Sequence, residues 1–487
     1  MAYVIGLDLG TTRCKAVAVT PNGDLLGSTS VTYPLSSPYP GWAEQNLNEI
    51  WIGALNSLKE LAAKLPEAQP LGISLSGAMH SLFPLDKHGA PLAPAMTWAD
   101  QRAWAKVQAL RQEIDLEALQ ERTGCPLQAS YFPARLRWWL EDKPQTFQAA
   151  AHFTGIKDWV LAQLCGRLVT DLGMASTSGL LNIHNLIWDT QALELAGISA
   201  EKLPELVSPQ AVTGSLLKEI ARQTGLPEGL PVVAGTSDGG LANLGAGAIH
   251  PGQSVITVGT SAAVRKIISA PRVDRSGRTW CYVLLEDRWF SGGAINNAGL
   301  AIQWVHERLF GETSFQTLFE EAARIPVGSQ GVFFLPYLTG ERSPYWNPQA
   351  RGLLSGLSLE TERAQIARAA LEGVAFCLAD VWQVVEEDAI AGEPMRLTGS
   401  ITNDPTWMQI MADVLGLPLA PFRVADASAL GAAIMGLAAL EAIPGLEALV
   451  DRLQPDSLIE PDPGAHSQYL ELHQQFQDLY KRTLAIS

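Results

Sequence analysis

The chain has 487 residues and a formal net charge of −16, with 34 lysines and arginines against 50 aspartates and glutamates. This length exceeds what one hydrophobic core usually organises, so we expect two or three domains. Charged residues make up only 17% of the chain, which argues against disorder. The acidity and the lack of any basic run argue against nucleic-acid binding. The acidity also indicates that any anionic ligand is bound locally, by backbone N–H groups, a few cations or a metal.

Cysteine usage and hydropathy favour a cytoplasmic protein that does not enter a membrane. The five cysteines are widely spaced and form no C-x-x-C pair, which predicts reduced thiols. The N-terminus lacks the pattern of a signal peptide. The most apolar stretch, residues 429–443, is rich in small side chains and short for a membrane span, so it predicts a buried helix.

The first strands form a pattern that returns in the second half of the chain. Apolar runs at 3–9, 15–20 and 25–32 predict a three-strand meander, and alternating strands and helices follow. Residues 250–268 again give a strand, a Gly-Thr-Ser turn and a second strand. This repeat predicts an α/β protein with two similar domains, divided near 245–250.

The stretch IGLDLGTTRCKAVAV (5–19) places Asp8 at the end of a buried strand, directly before Gly10-Thr11-Thr12. Backbone N–H groups at such a turn form a concave site for phosphate oxygens, and Lys15 adds a charge. A carboxylate would repel phosphate unless Mg²⁺ lay between them, bound to Asp8 through water. The alternative is that Asp8 is an ordinary turn residue. The Gly-Thr-Ser turn at 259–261 favours a second phosphate hairpin.

Residues 394–419 predict a strand, a glycine corner and a helix. Asn403 or Asp404 is placed to cap this helix, Pro405 lies in its first turn and Gly416 ends it.

The ordered motifs resemble the FGGY carbohydrate kinases, which include glycerol kinases, xylulokinases and gluconate kinases. The motifs that carry the resemblance are GLDLGTTRCKA (6–16), SGAMHSLFPLD (76–86), TWADQR (97–102), AGTSDGGLANLGAG (234–247), VGTSAAV (258–264), GGAINNAGLAIQW (292–304), LPYLTGERSPYWNPQARGLLSGL (335–357), LTGSITNDPTWMQIMAD (397–413) and ASALGAAIMG (427–436). The resemblance implies two ribonuclease H-like (actin-like ATPase) domains with a cleft between them, at 1–247 and 248–487. It also implies ATP and Mg²⁺ as cofactors.

The resemblance implies a role for each matched residue. Asp238 matches the catalytic carboxylate, which accepts the proton of the substrate hydroxyl, although by sequence alone it is an ordinary turn residue. Asp8 matches the metal-associated aspartate. The positions that match the ATP site are Thr11, Thr12, Lys15, Gly259, Thr260, Gly299, Gln303, Gly399 and Asn403.

The positions that match the substrate pocket are Met79, His80, Trp98, Asp100 and Arg102. A structural histidine and a core tryptophan remain the alternatives for His80 and Trp98. One segment departs from the family pattern: YFPARLRWWLED (131–142) carries Arg135 where the family has lysine, and its proline is shifted.

Several positions favour gluconate kinases over xylulokinases. Residues 78–81 are Ala-Met-His-Ser rather than Gln-Met-His-Gly, and 98–100 are Trp-Ala-Asp rather than Trp-Asn-Asp. The expected reaction is phosphorylation of D-gluconate to 6-phospho-D-gluconate, with Lys157 or Arg102 as candidates to bind the carboxylate. The alternatives are a xylulokinase or another pentulose or polyol kinase, an ATP-driven conformational protein like actin or Hsp70, and a non-catalytic sensor. The sequence does not determine the oligomeric state, and a homodimer is kept as an expectation.

Overall fold

Residues 1–387, 393–424 and 426–484 are described in this computed structural model. The chain falls into two units. Unit 1 comprises Met1–Ile249, Ile268–Phe290 and Asp426–Leu453; unit 2 comprises His250–Ile267, Ser291–Ala425 and Gln454–Ser487. The second half of the chain therefore supplies two segments of unit 1. A functional boundary after residue 247 stays a prediction.

The strands and helices alternate along most of the chain, as the sequence predicts. The strands are β1 (Ala2–Leu9), β2 (Arg13–Val19), β3 (Leu25–Thr32), β4 (Glu44–Gln45), β5 (Gln69–Gly77), β6 (Phe83–Leu85), β7 (Ala95–Met96), β8 (His152–Thr154), β9 (Val169–Asp171), β10 (Leu181–Asn182), β11 (Ile187–Trp188), β12 (Glu205–Val207), β13 (Val212–Ser215), β14 (Pro231–Ser237), β15 (Ser254–Val258), β16 (Ala262–Ile268), β17 (Trp280–Leu285), β18 (Arg288–Ile295), β19 (Phe333–Leu335), β20 (Leu353–Ser355), β21 (Met395–Gly399) and β22 (Leu419–Pro421). The helices are α1 (Leu47–Lys64), α2 (Trp104–Leu110), α3 (Leu116–Thr123), α4 (Phe132–Asp142), α5 (Pro144–Ala149), α6 (Ile156–Cys165), α7 (Leu172–Ser176), α8 (Thr190–Ala196), α9 (Lys218–Thr224), α10 (Asp238–Gly245), α11 (Gly299–Val305), α12 (Phe315–Ala323), α13 (Arg363–Val385), α14 (Pro405–Leu415), α15 (Ala427–Ala439), α16 (Glu447–Val450) and α17 (Pro463–Leu484).

Unit 1 is built on a six-stranded sheet in the order β13-β14-β5-β1-β2-β3. The three-strand meander is confirmed, because β2 pairs antiparallel with both β1 and β3. Strand β5 runs parallel to β1 and to β14. In this register Ser76 lies opposite both Asp8 and Thr236. The carboxyl ends of three parallel strands therefore meet at one edge of the sheet, which brings Asp8 and the start of α10 to the same side.

Helix α15 is the buried helix that the sequence predicts at 429–443. Its small side chains let it pack closely on β1, where a Cβ atom at Gly6 would lie only 1.9 Å from the Ala429 carbonyl oxygen. Only glycine permits this approach of strand and helix. In the part of the chain that the structure describes, no helix is long and apolar enough to span a membrane.

Unit 2 repeats the hairpin arrangement of unit 1. Strand β15 pairs antiparallel with β16 and parallel with β21, and β21 pairs parallel with β22. The 23-residue helix α13 is buried along most of its length and packs in the main core of this unit. Helix α14 begins and ends as predicted: Asp404 rather than Asn403 is its N-cap and accepts from Trp407 N, Pro405 is its first residue, and Gly416 adopts the left-handed conformation at its end.

Candidate functional site

Asp8 is a buried carboxyl group at the sheet edge of unit 1, and its pKa is strongly shifted. It is only 8% exposed, and its Oδ1 accepts a 2.5 Å hydrogen bond from Ser76 Oγ. Burial, followed by the negative charges of Asp426 and Asp238, raises the pKa of Asp8 to about 8, although Ser76 and Lys15 act in the opposite direction. This concentration of negative charge is suited to a cation.

The turn after β1 carries Thr11 and Thr12, the predicted phosphate-binding threonines. Gly10 N donates to Arg13 O at 3.0 Å and closes the turn, while Thr12 is exposed and Thr11 half-buried. Trp98 joins this turn, because its indole Nε1 donates to Thr11 Oγ1 at 3.0 Å. The structure thus places one predicted substrate residue directly against the predicted phosphate hairpin of the same unit.

Asp426 is a site residue that sequence reasoning missed. Its carboxylate forms an ion pair with Lys15, and it is also the N-cap of α15, accepting from Ala429 N at 3.0 Å. The available signal was weak: an aspartate stands immediately before a helix rich in small residues, which by itself indicates a helix cap. Its place beside Lys15 depends on the packing of α15 against β1, which no local pattern reveals.

Asp238 lies where strand β14 passes into helix α10, and it is half-buried rather than enclosed. Its Oδ1 accepts from Gly239 N at 2.7 Å, and Ser237 caps the helix through Gly240 N at 3.2 Å. Ser428 Oγ donates to the Asp238 carbonyl oxygen at 3.2 Å, which ties α15 to this turn. The side chain is therefore held by its own helix start at the same sheet edge as Asp8.

The Met79-His80 turn follows β5 and is held by several neighbours. His80 has a positive φ of 65°, which is uncommon for a residue other than glycine. Its Nδ1 lies 2.9 Å from Thr177 O, and since a carbonyl only accepts, Nδ1 carries the proton. The imidazole also packs edge-on against two tyrosine rings. Its ring centroid lies 4.9 Å from that of Tyr131 and 6.2 Å from that of Tyr282. The His80 ring is therefore fixed by one hydrogen bond and two ring contacts within unit 1.

Asp100 and Arg102 form a buried ion pair rather than a free polar surface. The Arg102 side chain is 3% exposed, donates to both oxygens of Asp100, and bonds Glu44 Oε1 at 2.7 Å. Its guanidinium stacks 3.5 Å over the ring of Trp42, and Ala43 N donates to Asp100 Oδ2. Both side chains are thus paired within unit 1, and direct substrate contacts by this pair stay predictions.

Lys157, the other cation considered for a substrate carboxylate, is fully buried in an ion cluster. Its Nζ lies 2.8 Å from Asp158 and 2.9 Å from Asp171, and it donates to Ala234 O at 3.2 Å. Burial opposes its charge, but the two carboxylates outweigh burial and raise the pKa of Lys157 above its ordinary value. The lysine therefore supports the strand that leads to Asp238.

In unit 2, three predicted ATP-site segments meet at the end of β15. Gly299 N donates to Gly259 O at 2.9 Å, and Leu300 N donates to Thr260 O at 3.0 Å, which joins the second hairpin to the start of α11. Strand β21 pairs alongside, with Gly399 opposite Val258. The Thr260 side chain and Gly399 are exposed.

Gln303 and Asn403 lie on the same elements as these glycines. Gln303 is one turn along α11 from Gly299, is exposed, and donates to Glu307 Oε1 at 2.8 Å. Asn403 is exposed at the end of the 3₁₀ turn Ser400–Asn403, next to the cap residue Asp404. Both amides are accessible, and their predicted contacts with nucleotide stay predictions.

The residues around Asp8 fit a hydrated divalent cation better than a metal bound entirely by protein. Among the described residues, no group of three or more histidine, cysteine, aspartate or glutamate side chains is arranged to hold a metal ion. Mg²⁺ characteristically keeps several waters and takes one or two carboxylates together with substrate phosphates. Asp8, a buried carboxyl beside the predicted phosphate hairpin, satisfies that requirement.

Comparison with known proteins agrees with this geometry. Residues 3–245 match the N-terminal domain of the FGGY family of carbohydrate kinases, and residues 254–440 match its C-terminal domain. The chain is 35% identical to the gluconokinase of Bacillus subtilis (strain 168) over 464 residues, 93% of this chain and 90% of the relative.

Two solved structures resemble the whole chain closely. A gluconate kinase from Lactobacillus acidophilus superposes with a TM-score of 0.94 at 30% identity and covers 99% of this chain and 98% of its own. A ligand-bound xylulose kinase from the same organism superposes with a TM-score of 0.95 at 30% identity. The match covers 100% of this chain and 99% of the xylulose kinase. The chain therefore has the two-domain actin-like fold, and it belongs to the FGGY family of carbohydrate kinases, which are ATP-dependent sugar phosphotransferases.

Proposed function

We propose that the chain phosphorylates D-gluconate at its terminal hydroxyl, with ATP as donor, to give 6-phospho-D-gluconate. The observation that carries this choice is the 35% identity to a gluconokinase over nearly the whole chain. Xylulose is the competing substrate, because a xylulose kinase superposes equally well.

In this proposal Asp238 orients the attacking hydroxyl and accepts its proton. The transition state of phosphoryl transfer is loose, so the proton leaves late and alignment matters more than basicity. Asp238 suits this task, because it lies at the turn between β14 and α10, where its own backbone holds the carboxylate. The Asp238 side chain is only half-buried, so its carboxylate is accessible to a ligand.

We propose that Asp8 holds Mg²⁺ through water, and that Thr11, Thr12 and Lys15 contact phosphate oxygens. The metal would neutralise charge on the phosphates when bound. Gly259 and Thr260 would contribute further phosphate contacts. In unit 2, the nucleotide would also be contacted by Gly299, Gln303, Gly399 and Asn403. Lys15 must leave or share its partner Asp426 to reach a phosphate.

The carboxylate of gluconate still needs donors. Arg102 and Lys157 are already neutralised by neighbouring carboxylates, which weakens both as partners for a substrate anion. We propose that Met79, His80 and Trp98 contact the carbon chain and its hydroxyls.

The substrate assignment is tested by coupled assays of ADP release with Mg²⁺-ATP and each of gluconate, xylulose, ribulose and glycerol. The proposal expects kcat/KM for gluconate to exceed the others by at least about tenfold. Turnover confined to a ketopentose would overturn the substrate choice. ATP hydrolysis that is independent of any polyol, and unchanged in Asp238→Asn, would favour an ATP-driven conformational protein instead.

A further inference from the structure

Arg135 of α4 is a buried cation whose hydrogen bonds all go to main-chain carbonyl groups. Its side chain is fully buried, and Nε donates to Ala129 O at 2.9 Å. One terminal nitrogen donates to His80 O, and the other donates to Thr97 O and, at 3.3 Å, to Asp100 O. One guanidinium thus links three separate segments of unit 1.

Such a charge is costly to bury, so its retention needs a compensating arrangement. Burial lowers the pKa of Arg135 to about 10, with Asp100 acting in the opposite direction, so the group remains protonated at neutral pH. The planar fork of arginine directs several N–H groups outward at once, whereas lysine offers a single nitrogen. Only arginine can therefore bridge these carbonyls together.

The two distant segments that Arg135 holds are the two that carry predicted sugar contacts. On one side, His80 keeps its positive φ while its carbonyl oxygen accepts from Arg135. The same helix start also supplies Tyr131, whose ring packs against His80 at 4.9 Å. On the other side, the carbonyls of Thr97 and Asp100 flank Trp98.

We propose that Arg135 is a positioning residue that fixes the separation of His80 and Trp98, and so the fit of the sugar, without touching it. This inference rests on the proposed function, in that His80 and Trp98 are taken to contact substrate. A lysine at 135, which the resemblance implies for this position, could keep the charge but not all four contacts.

The test compares Arg135→Lys with Arg137→Lys, measuring the KM for the best sugar of the panel, the KM for ATP and kcat. Arg137 lies on the same helix and bonds Glu141 and Glu113 at the surface, so its replacement is the matched control. We expect Arg135→Lys to raise the sugar KM tenfold or more, with the ATP KM changed less than twofold. Arg137→Lys should leave both values unchanged.

A general loss of stability would not separate the two KM values, so this split is specific to positioning. An unchanged sugar KM, or equal rises in both KM values, would overturn the proposal. Arg135→Gln provides the same comparison if Arg135→Lys does not fold, and failure of both to fold would assign Arg135 to folding alone and also overturn it. Because the readout uses whichever sugar the wild type accepts, a wrong choice of gluconate is detected separately in the panel.

Discussion

Lys15 of β2 is paired with Asp426, the N-cap residue of α15. The Lys15 side chain is 27% exposed, whereas that of Asp426 is 7% exposed, so the lysine is the more solvent-accessible partner. A residue expected to bind ATP phosphates is thereby engaged by a carboxylate of its own unit. The pair links the first phosphate hairpin to a helix more than 400 residues later in the chain.

Replacing Asp426 by Asn should tighten ATP binding. Asn caps helices about as well as Asp, so α15 should keep its start while Lys15 loses a competing anion. An ion pair of this partial exposure is worth up to about 1 kcal/mol, which corresponds to a Kd for Mg²⁺-ATP lower by about three- to fivefold. Isothermal titration calorimetry of both proteins measures the change.

A double-mutant cycle with Lys15→Met controls this prediction. If Asp426 acts by competing for Lys15, the Asn substitution should have no effect on the Kd once Lys15 is absent. Weaker ATP binding by Asp426→Asn alone would contradict the competition and show instead that Asp426 supports the site.

Glu341 in unit 2 should give the protein a pH-dependent stability. Burial raises the pKa of Glu341 to about 7, even though its Oε1 accepts from Asn296 N at 2.8 Å and Arg342 N at 2.7 Å. Because the folded pKa exceeds the unfolded value, the stabilisation is complete below about pH 4.5 and is lost as the pH rises through about 7.

The measurement for Glu341 is the thermal midpoint of the wild type and Glu341→Gln between pH 5 and pH 8.5. The glutamine cannot ionise, so the difference in midpoint should move in favour of Glu341→Gln as the pH rises and level off near pH 8. A difference that stays constant, or moves the other way, would show that Glu341 does not titrate in this range.

Gly399 should tolerate no side chain. It has a φ of 94°, and a Cβ atom there would lie 2.1 Å from the Val258 carbonyl oxygen, so alanine must displace strand β15. We expect Gly399→Ala to destabilise unit 2 by more than about 2 kcal/mol and to weaken ATP binding. Thermal unfolding with and without ATP measures both effects.

Gly331→Ala is the matched control for Gly399→Ala. Gly331 also has a positive φ, of 87°, but a Cβ atom there would meet nothing within 4 Å. This variant should carry only the cost of the left-handed backbone, about 1–2 kcal/mol. Equal effects of the two substitutions would mean that the close approach to β15 is unimportant.

Local patterns predicted the elements well, because strands, turns and caps depend on neighbouring residues. The hairpin after Asp8, the α14 cap region and the buried helix α15 all follow from such patterns. Several charge partners do not follow from local patterns, because they lie in distant parts of the chain. Nothing near Lys15 in the sequence indicates Asp426, and Glu44 bonds Arg102 from 58 residues away. Asp100 and Asp158 are sequence neighbours of Arg102 and Lys157, but the burial that holds these ion pairs is set by tertiary packing. The discontinuous composition of unit 1 was likewise outside the reach of local patterns.

The most direct test of the account is the kinetics of Asp238→Asn, measured as the single-turnover rate of phosphate transfer to gluconate together with the Kd for Mg²⁺-ATP. The substitution preserves the shape of the side chain but removes its ability to accept the substrate proton. We predict a rate lower by about 10² or more, with the Kd changed less than about twofold because Asp238 is not assigned a nucleotide contact. A fall in ATP affinity as large as the fall in rate, or a rate close to that of the wild type, would contradict the assignment of Asp238 as the catalytic carboxylate.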